Sequence, residues 1–138
     1  MRRYMSLDIG DRTIGIAVSD LLGLTAQGVE TIRRRSEEED LKRLGELMEQ
    51  YETKHLVSGL PKNMDGSEGE RCEIVKDFMA KVKERYPDSE VVFWDERLST
   101  VAAARSLIEA DVSRKKRKKV IDKMAAVFIL QGYLDSLH

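Results

Sequence analysis

Two short apolar runs near the N-terminus, separated by a polar turn, constrain the fold more than any other feature. Residues 4–10 (YMSLDIG) form the first run, residues 14–19 (IGIAVS) form the second, and residues 11–13 (DRT) lie between them. Each run has the length of a strand, so the pattern predicts a β-hairpin. Asp8 stands near the end of the first strand between apolar neighbours, where an unpartnered carboxylate is costly to bury. Two interpretations follow: a strand-end carboxylate satisfied by turn amides, or a metal ligand held on a rigid strand.

The rest of the chain predicts an α/β fold. A third alternating run, residues 26–32, follows the hairpin closely and indicates an antiparallel meander of three strands. Helical and strand patterns then alternate, which is typical of α/β proteins. The predicted helices cover residues 40–51, 74–86, 99–108 (with Ser99 as N-cap) and 120–137, and the predicted strands cover residues 55–61 and 90–94. We therefore expect a five-stranded mixed sheet, three strands antiparallel and the later ones parallel, flanked by helices.

Length and composition indicate one domain spanning residues 1–138. The chain has 138 residues, 41% of them hydrophobic and 36% charged, which is enough to build a core. The net charge of −1 means that any attraction for nucleic acid must come from local clusters. The single cysteine, Cys72, cannot form an internal disulfide and fits a reducing compartment. Neither a signal peptide nor a run of about 20 apolar residues is recognisable, so we expect a cytoplasmic protein without a membrane partner.

Four acidic residues stand at predicted element ends where they could meet. Asp8 lies near the end of the first strand, Asp95 and Glu96 follow the last strand, and Asp122 lies in the first turn of the last predicted helix. Ligands of open α/β sheets collect where strand carboxyl ends meet helix starts. Clustered carboxylates need a cation, and oxygen donors suit Mg²⁺ or Mn²⁺, which would support phosphodiester hydrolysis. The alternative is structural: a chain with 25 acidic residues offers many such sets.

A run of six basic residues strengthens the first interpretation. It leads straight into Asp122 and consists of Arg114, Lys115, Lys116, Arg117, Lys118 and Lys119. Taken alone, such a run is most often a solvated loop. Next to a metal-binding acid, however, it would be a docking place for a phosphate backbone, which supplies sequence-independent affinity. Lys62 and Asn63, after a strand end, and Arg97, beside Glu96, are predicted to contact nucleic acid as well, although simple turn chemistry would also explain residues 62 and 63.

Four ordered motifs resemble the bacterial YqgF/RuvX family. They are residues 8–17 (DIGDRTIGIA), 59–67 (GLPKNMDGS), 95–100 (DERLST) and 122–126 (DKMAA), and the likeness covers essentially the whole chain. It looks close to the members found in Bacillus-type bacteria. The resemblance implies a ribonuclease-H-like fold similar to that of RuvC Holliday-junction resolvases. It also implies a small cytoplasmic protein, described in this family as a candidate nuclease for the 5′ end of pre-16S ribosomal RNA or a candidate Holliday-junction resolvase.

The family pattern carries over by position to three acids. Asp8 matches the acid of the first strand, Glu96 matches the second acid in the Asp-Glu-Arg motif, and Asp122 matches the acid of the last helix. Asp95 could replace or assist Glu96. Many relatives in the wider nuclease superfamily carry an acid at the end of the fourth strand, where this chain has Gly-Leu-Pro at residues 59–61. The second ligand is therefore expected from the next strand, and the number of metal ions stays open.

Several functions remain open at this point. The first is a Mg²⁺- or Mn²⁺-dependent nuclease acting on pre-16S rRNA, and the second is a junction resolvase, which would favour a symmetric dimer. A third is a non-catalytic nucleic-acid-binding module, in which the acids are structural. The fourth is a phosphotransferase, because residues 8–13 also resemble the first phosphate loop of actin-like kinases, but those enzymes need two domains. The expected oligomeric state is a monomer or a weak homodimer.

Overall fold

The computed structural model describes residues 2–98 and 114–138, and the side chains of all of these except residues 114–123. Within this part the strands are β1 (Tyr4–Ile9), β2 (Thr13–Ser19), β3 (Ala26–Arg33), β4 (His55–Leu60) and β5 (Glu90–Asp95). The helices are α1 (Glu37–Gln50), α2 (Glu70–Arg85) and α3 (Arg114–Ser136), and a short 3₁₀ turn spans Glu96–Leu98. The helix predicted over residues 99–108, with its Ser99 cap, lies outside the described residues.

The five strands form one mixed sheet in the order β3-β2-β1-β4-β5. β1 pairs antiparallel with β2, and β2 pairs antiparallel with β3. β1 and β4 are parallel, as are β4 and β5. The predicted sheet is therefore confirmed, with β1 at its centre. A central strand has neighbours on both sides, so two ladders of backbone hydrogen bonds hold β1, and Asp8 pairs with Gly15 of β2.

Helices cover both faces of the sheet. On one face α1 and α2 pack against an apolar core that includes Met5, Leu7 and Ile9 of β1. On the other face α3 packs through small residues, Ala125 and Ala126, which let the helix approach the sheet closely. The Ser6 hydroxyl donates a hydrogen bond to the Ala126 carbonyl (2.6 Å). Because successive side chains of a strand leave opposite faces, Asp8 lies on the α3 face.

The basic run is helical, and the predicted start of the last helix is wrong. α3 spans Arg114–Ser136, so it contains residues 114–119, for which a loop was the usual interpretation. Asp122 consequently lies more than two turns into the described helix rather than in its first turn. Lysine and arginine are good helix formers, and the apolar residues after residue 123 fasten the helix to the sheet. No helix in the part of the chain described is both long and apolar enough to cross a bilayer.

A buried ion pair fastens the start of α1 to the turn that follows β1. The Asp40 carboxylate accepts from Arg34 Nε (3.1 Å) and from the backbone amide of Arg35 (3.3 Å). The Arg34 guanidinium also donates to the Gly10 carbonyl (2.9 Å), two residues beyond Asp8. Only 3% of the Asp40 side chain is exposed. The pair therefore buttresses the end of the strand that carries Asp8.

We expect Asp40→Asn to lower the free energy of unfolding by about 2 kcal/mol, since it weakens charge-assisted hydrogen bonds at a buried position. Urea unfolding followed by circular dichroism measures this change. Glu46→Gln is the control, because Glu46 pairs with Arg43 at an exposed site and its loss should cost less than about 0.5 kcal/mol. Equal losses in the two variants would contradict the structural role given to Asp40.

Candidate active site

Asp8 lies at the end of the central strand, next to a tightly held turn. It is the penultimate residue of β1 and pairs with Gly15 of β2. The turn behind it is closed by a hydrogen bond from the Gly10 amide to the Thr13 carbonyl (2.8 Å). The Asp8 side chain is half-buried on the face that α3 covers. The position combines a rigid backbone with partial access to solvent, which suits a ligand-binding carboxylate.

Glu96 lies over Gly59 on the same face of the sheet. A Cβ atom built on Gly59 would be 3.4 Å from the carboxyl carbon of Glu96 and 2.5 Å from Cδ1 of Ile129 in α3. Oε1 of Glu96 is shielded from solvent. The missing side chain at Gly59 therefore leaves the space that Ile129 of α3 fills, and the Glu96 carboxyl group lies at ordinary contact distance from the same position. The acid that follows β5 thus lies against the end of β4 on the α3 face.

The register brings Asp8 and Glu96 to one place. Leu7 of β1 pairs with Ser58 of β4, so the next residues along these parallel strands, Asp8 and Gly59, are neighbours. Paired residues of parallel strands point to the same face, as Ser6 and Val57 do towards α3. The carboxylates of Asp8 and Glu96 thus lie at the carboxyl ends of the central strands, Asp8 beside Gly59 and Glu96 above it. The structure brings together these two of the three predicted catalytic acids.

Asp95 lies on the opposite face. Its neighbour Trp94 packs with the α3 core, whereas Val91 packs with the α1 and α2 core, so alternation directs Asp95 to the α1 and α2 side. Its carboxylate is held by the Arg97 guanidinium, with Nη2 to Oδ2 at 2.7 Å. This hydrogen bond keeps the pKa of Asp95 below its usual range. The geometry favours Glu96 over Asp95 as the second acid.

Asp122 belongs to a stretch of α3 that heads towards Asp8. The helix runs antiparallel to β1, because Tyr133 contacts Tyr4 at the start of the strand and Ala126 contacts Ser6 further along it. Asp122 precedes Ala126 by about one turn, so the helix backbone at Asp122 lies towards the Asp8 end of β1. The Asp122 side chain lies outside the described part. Among the side chains that are described, no three His, Cys, Asp or Glu residues form a metal-binding group.

The predicted nucleic-acid contacts fall in three places, one of which is Arg97 in the 3₁₀ turn after β5. Residues 114–119 lie in α3, and their side chains are outside the described part. Lys62 and Asn63 lie in the loop between β4 and α2. The Asn63 side-chain amide donates to Ser67 Oγ (3.0 Å), so it closes the loop on itself. The positive charge of Lys62 contributes to the lowered pKa of Asp95, after the larger effect of Arg97.

Two features of the site have no clear signal in the sequence. Glycine is needed at position 59 because a side chain there would clash with Ile129 of α3. The only local sign of this requirement in the sequence is Gly-Leu-Pro at the end of a strand. In the sequence, the pairing of Asp95 with Arg97 appears only as an Asp-x-Arg spacing. This spacing is common in turns and loops and therefore does not identify an ion pair by itself. Both become visible only when the strand ends and α3 are brought together.

Comparisons with known proteins identify the family of this chain. The sequence model described as "RuvX: Holliday junction resolvase" matches residues 2–136. The chain belongs to the RuvX family. A RuvX relative from Clostridium botulinum strain Hall is 58% identical over 135 residues, covering 98% of both chains. A relative from Staphylococcus aureus strain JH9 is 56% identical over 138 residues, covering 99% of this chain and 97% of the other. Both carry the name of a candidate pre-16S rRNA nuclease.

Solved structures confirm the predicted ribonuclease-H-like fold for this RuvX protein. It is similar to Thermus thermophilus RuvC in complex with a Holliday junction, with a TM-score of 0.60, 10% identity, and coverage of 99% and 96% of the two chains. It is also similar to the fowlpox virus Holliday junction resolvase, with a TM-score of 0.56, 16% identity, and coverage of 99% of both chains. The TM-scores establish a shared fold, and at identities this low the similarity shows the fold alone.

Proposed function

We propose that this protein is a divalent-metal-dependent nuclease that hydrolyses phosphodiester bonds while processing the 5′ end of pre-16S rRNA in the cytoplasm. The observation that carries the proposal is the meeting of Asp8 and Glu96 around Gly59 at the carboxyl edge of the central strands. Membership of the RuvX family and the names of relatives at 56–58% identity support a nuclease role in rRNA processing.

The donor set fits Mg²⁺ or Mn²⁺. Asp8 and Glu96 offer carboxylate oxygens, the ligands that both ions prefer. Asp122, in the stretch of α3 that heads for the same edge, is the third proposed ligand. When bound, the metal would activate the attacking water and stabilise the leaving oxygen. The three acids would orient this centre, and the packing of α3 on the sheet would limit access of bulk water to it.

The basic stretch of α3 is the proposed binding segment for the phosphate backbone. Residues 114–119 precede Asp122 on the same helix, so a strand held there would be led to the acids. The whole chain carries a net charge of only −1, so this local cluster must supply the electrostatic attraction. Lys62, in the loop between β4 and α2, would extend the contact beyond α3.

Cleavage of a labelled pre-16S 5′-leader RNA, with a synthetic four-way DNA junction in parallel, tests the proposal. We expect the RNA to be cut with Mg²⁺ or Mn²⁺ and cleavage to fall at least about 100-fold in EDTA, because the metal supplies several kcal/mol of transition-state stabilisation. Cutting of the junction alone would replace the ribosomal role with that of a resolvase. Binding of both substrates without cleavage would contradict catalysis and favour a binding module.

The resolvase is the second candidate, favoured by the description of the RuvX family and by the RuvC-like fold. A four-way junction is cut in paired strands, so this function calls for a symmetric dimer with two active sites. Light scattering with and without the junction distinguishes the candidates: a stable dimer on DNA favours the resolvase, and a monomer on the RNA favours the ribosomal nuclease.

A further inference from the structure

Asp95 and Arg97 form a closed ion pair on either side of Glu96. Arg97 Nε donates to both carboxylate oxygens of Asp95 (3.1 and 3.2 Å), and Nη2 donates to Oδ2 (2.7 Å). The backbone amide of Arg97 donates to Oδ1 of the same carboxylate (3.0 Å). The ion pair therefore bridges Glu96, the residue between Asp95 and Arg97. The backbone of Glu96 is therefore held from both sides while its side chain crosses to the α3 face.

The same guanidinium reaches the loop between β4 and α2. Arg97 Nη1 donates to the Met64 carbonyl (3.3 Å). Gly66 has φ +89°, a conformation that favours glycine, and a Cβ atom there would lie 3.3 and 3.4 Å from the two terminal nitrogens of Arg97. The guanidinium thus packs against the loop backbone where a side chain would crowd it. Arg97 joins the loop that carries Lys62 to the turn that carries Glu96.

We propose that Asp95 and Arg97 are positioning residues, which hold Glu96 over Gly59 and fix the β4–α2 loop relative to it. The proposal rests on the proposed function to the extent that Glu96 binds the metal. A planar guanidinium that engages both oxygens of a carboxylate fixes geometry as well as charge. Three of its N–H groups are already committed to Asp95 and Met64, so a move to a phosphate would leave the Asp95 carboxylate without its main partner.

The test compares Asp95→Asn and Arg97→Lys in the whole protein, with Glu30→Gln as matched control. Glu30 pairs with Arg43 through two hydrogen bonds (2.6 and 2.8 Å) at the opposite edge of the sheet. Mn²⁺ affinity is measured by electron paramagnetic resonance, amide hydrogen exchange by mass spectrometry, and RNA affinity in EDTA by fluorescence anisotropy. Circular dichroism checks that each variant is folded.

We expect both site variants to weaken Mn²⁺ binding about 10–100-fold, as outer-shell substitutions typically do, and to speed exchange in residues 62–67 and 96–98. The RNA dissociation constant should change less than about two-fold, and kcat should fall with KM unchanged. The double variant should bind Mn²⁺ no more weakly than the single variant with the lower Mn²⁺ affinity, because the two residues act as one unit. Glu30→Gln should leave Mn²⁺ binding, hydrogen exchange, the RNA dissociation constant, kcat and KM at the wild-type values.

Three results would overturn the proposal. If Arg97→Gln, a further variant that removes the positive charge, weakens RNA binding and reduces the salt dependence by about one phosphate contact, Arg97 contacts phosphate. If Asp95→Asn alone weakens Mn²⁺ binding, Asp95 is a metal ligand. If amide hydrogen exchange is unchanged in both variants, Asp95 and Arg97 do not hold the loop and the turn in place. A wild-type protein that neither binds Mn²⁺ nor cuts RNA would refute the nuclease function, and the exchange data would still decide whether Asp95 and Arg97 hold the loop.

Discussion

Asp8→Asn should abolish cleavage of the leader RNA, by about 1,000-fold or more in kcat, while RNA binding in EDTA stays within about two-fold of the wild type. A metal ligand at this site supports several kcal/mol of transition-state stabilisation, and each 1.4 kcal/mol is a factor of ten in rate. The amide that replaces the carboxylate has nearly the same shape, so the sheet should keep its packing.

Asp11→Asn is the matched control for this experiment. It makes the same chemical change three residues later, at a turn position where 68% of the side chain is exposed and the partner is Arg71. Its cleavage rate should stay within about two-fold of the wild type. If Asp8→Asn cuts RNA at the wild-type rate, or if the two variants lose activity equally, Asp8 is not the metal ligand and the carboxylate cluster is structural.

Gly59→Val should damage both stability and catalysis. Its Cβ would be 2.5 Å from Cδ1 of Ile129, a fully buried residue, and 3.4 Å from the Glu96 carboxyl carbon, so we expect its two methyl groups to crowd the Glu96 carboxyl group. We expect the free energy of unfolding to fall by about 3 kcal/mol, the upper end for overpacking a core. RNA cleavage should fall at least about 100-fold, because Glu96 is pushed away from Asp8. Urea unfolding and single-turnover cleavage measure the two effects.

The double variant Gly59→Val/Ile129→Ala separates these two effects. Shortening Ile129 removes the clash with α3, so the double variant should be more stable than the sum of the two single changes predicts. It should stay inactive, because the valine methyl groups still crowd the Glu96 carboxyl group. Recovery of both stability and cleavage would mean that Gly59 matters for helix packing alone.

Much of the fold could be predicted from local patterns. The hairpin, the third strand and the alternation that follows are confirmed, because strand and helix periods are properties of short stretches of sequence. The beginning of α3 could not be predicted, because an unbroken run of six basic residues carries no apolar periodicity. Only the helical backbone over residues 114–119 shows that the run continues the helix.

The candidate site could be predicted in part. Asp8 and Glu96 were recognised by their place at strand ends and by the family motifs, and the fold brings both to one edge. The choice between Glu96 and Asp95 was left open, since adjacent residues of the same chemistry look alike in a sequence. Strand alternation and the pairing of Asp95 with Arg97 direct these two acids to opposite faces.

The sequence by itself determined the type and order of the described elements and membership of the RuvX family, because these depend on residue type and spacing along the chain. The tertiary structure decided which residues meet. β4 lies beside β1 and α3 crosses both strands, so the absence of a side chain at Gly59 makes room for Ile129 and leaves Glu96 in contact with the end of β4. The physical reason is that proximity between strands depends on strand order, register and the volume of side chains from distant parts of the chain.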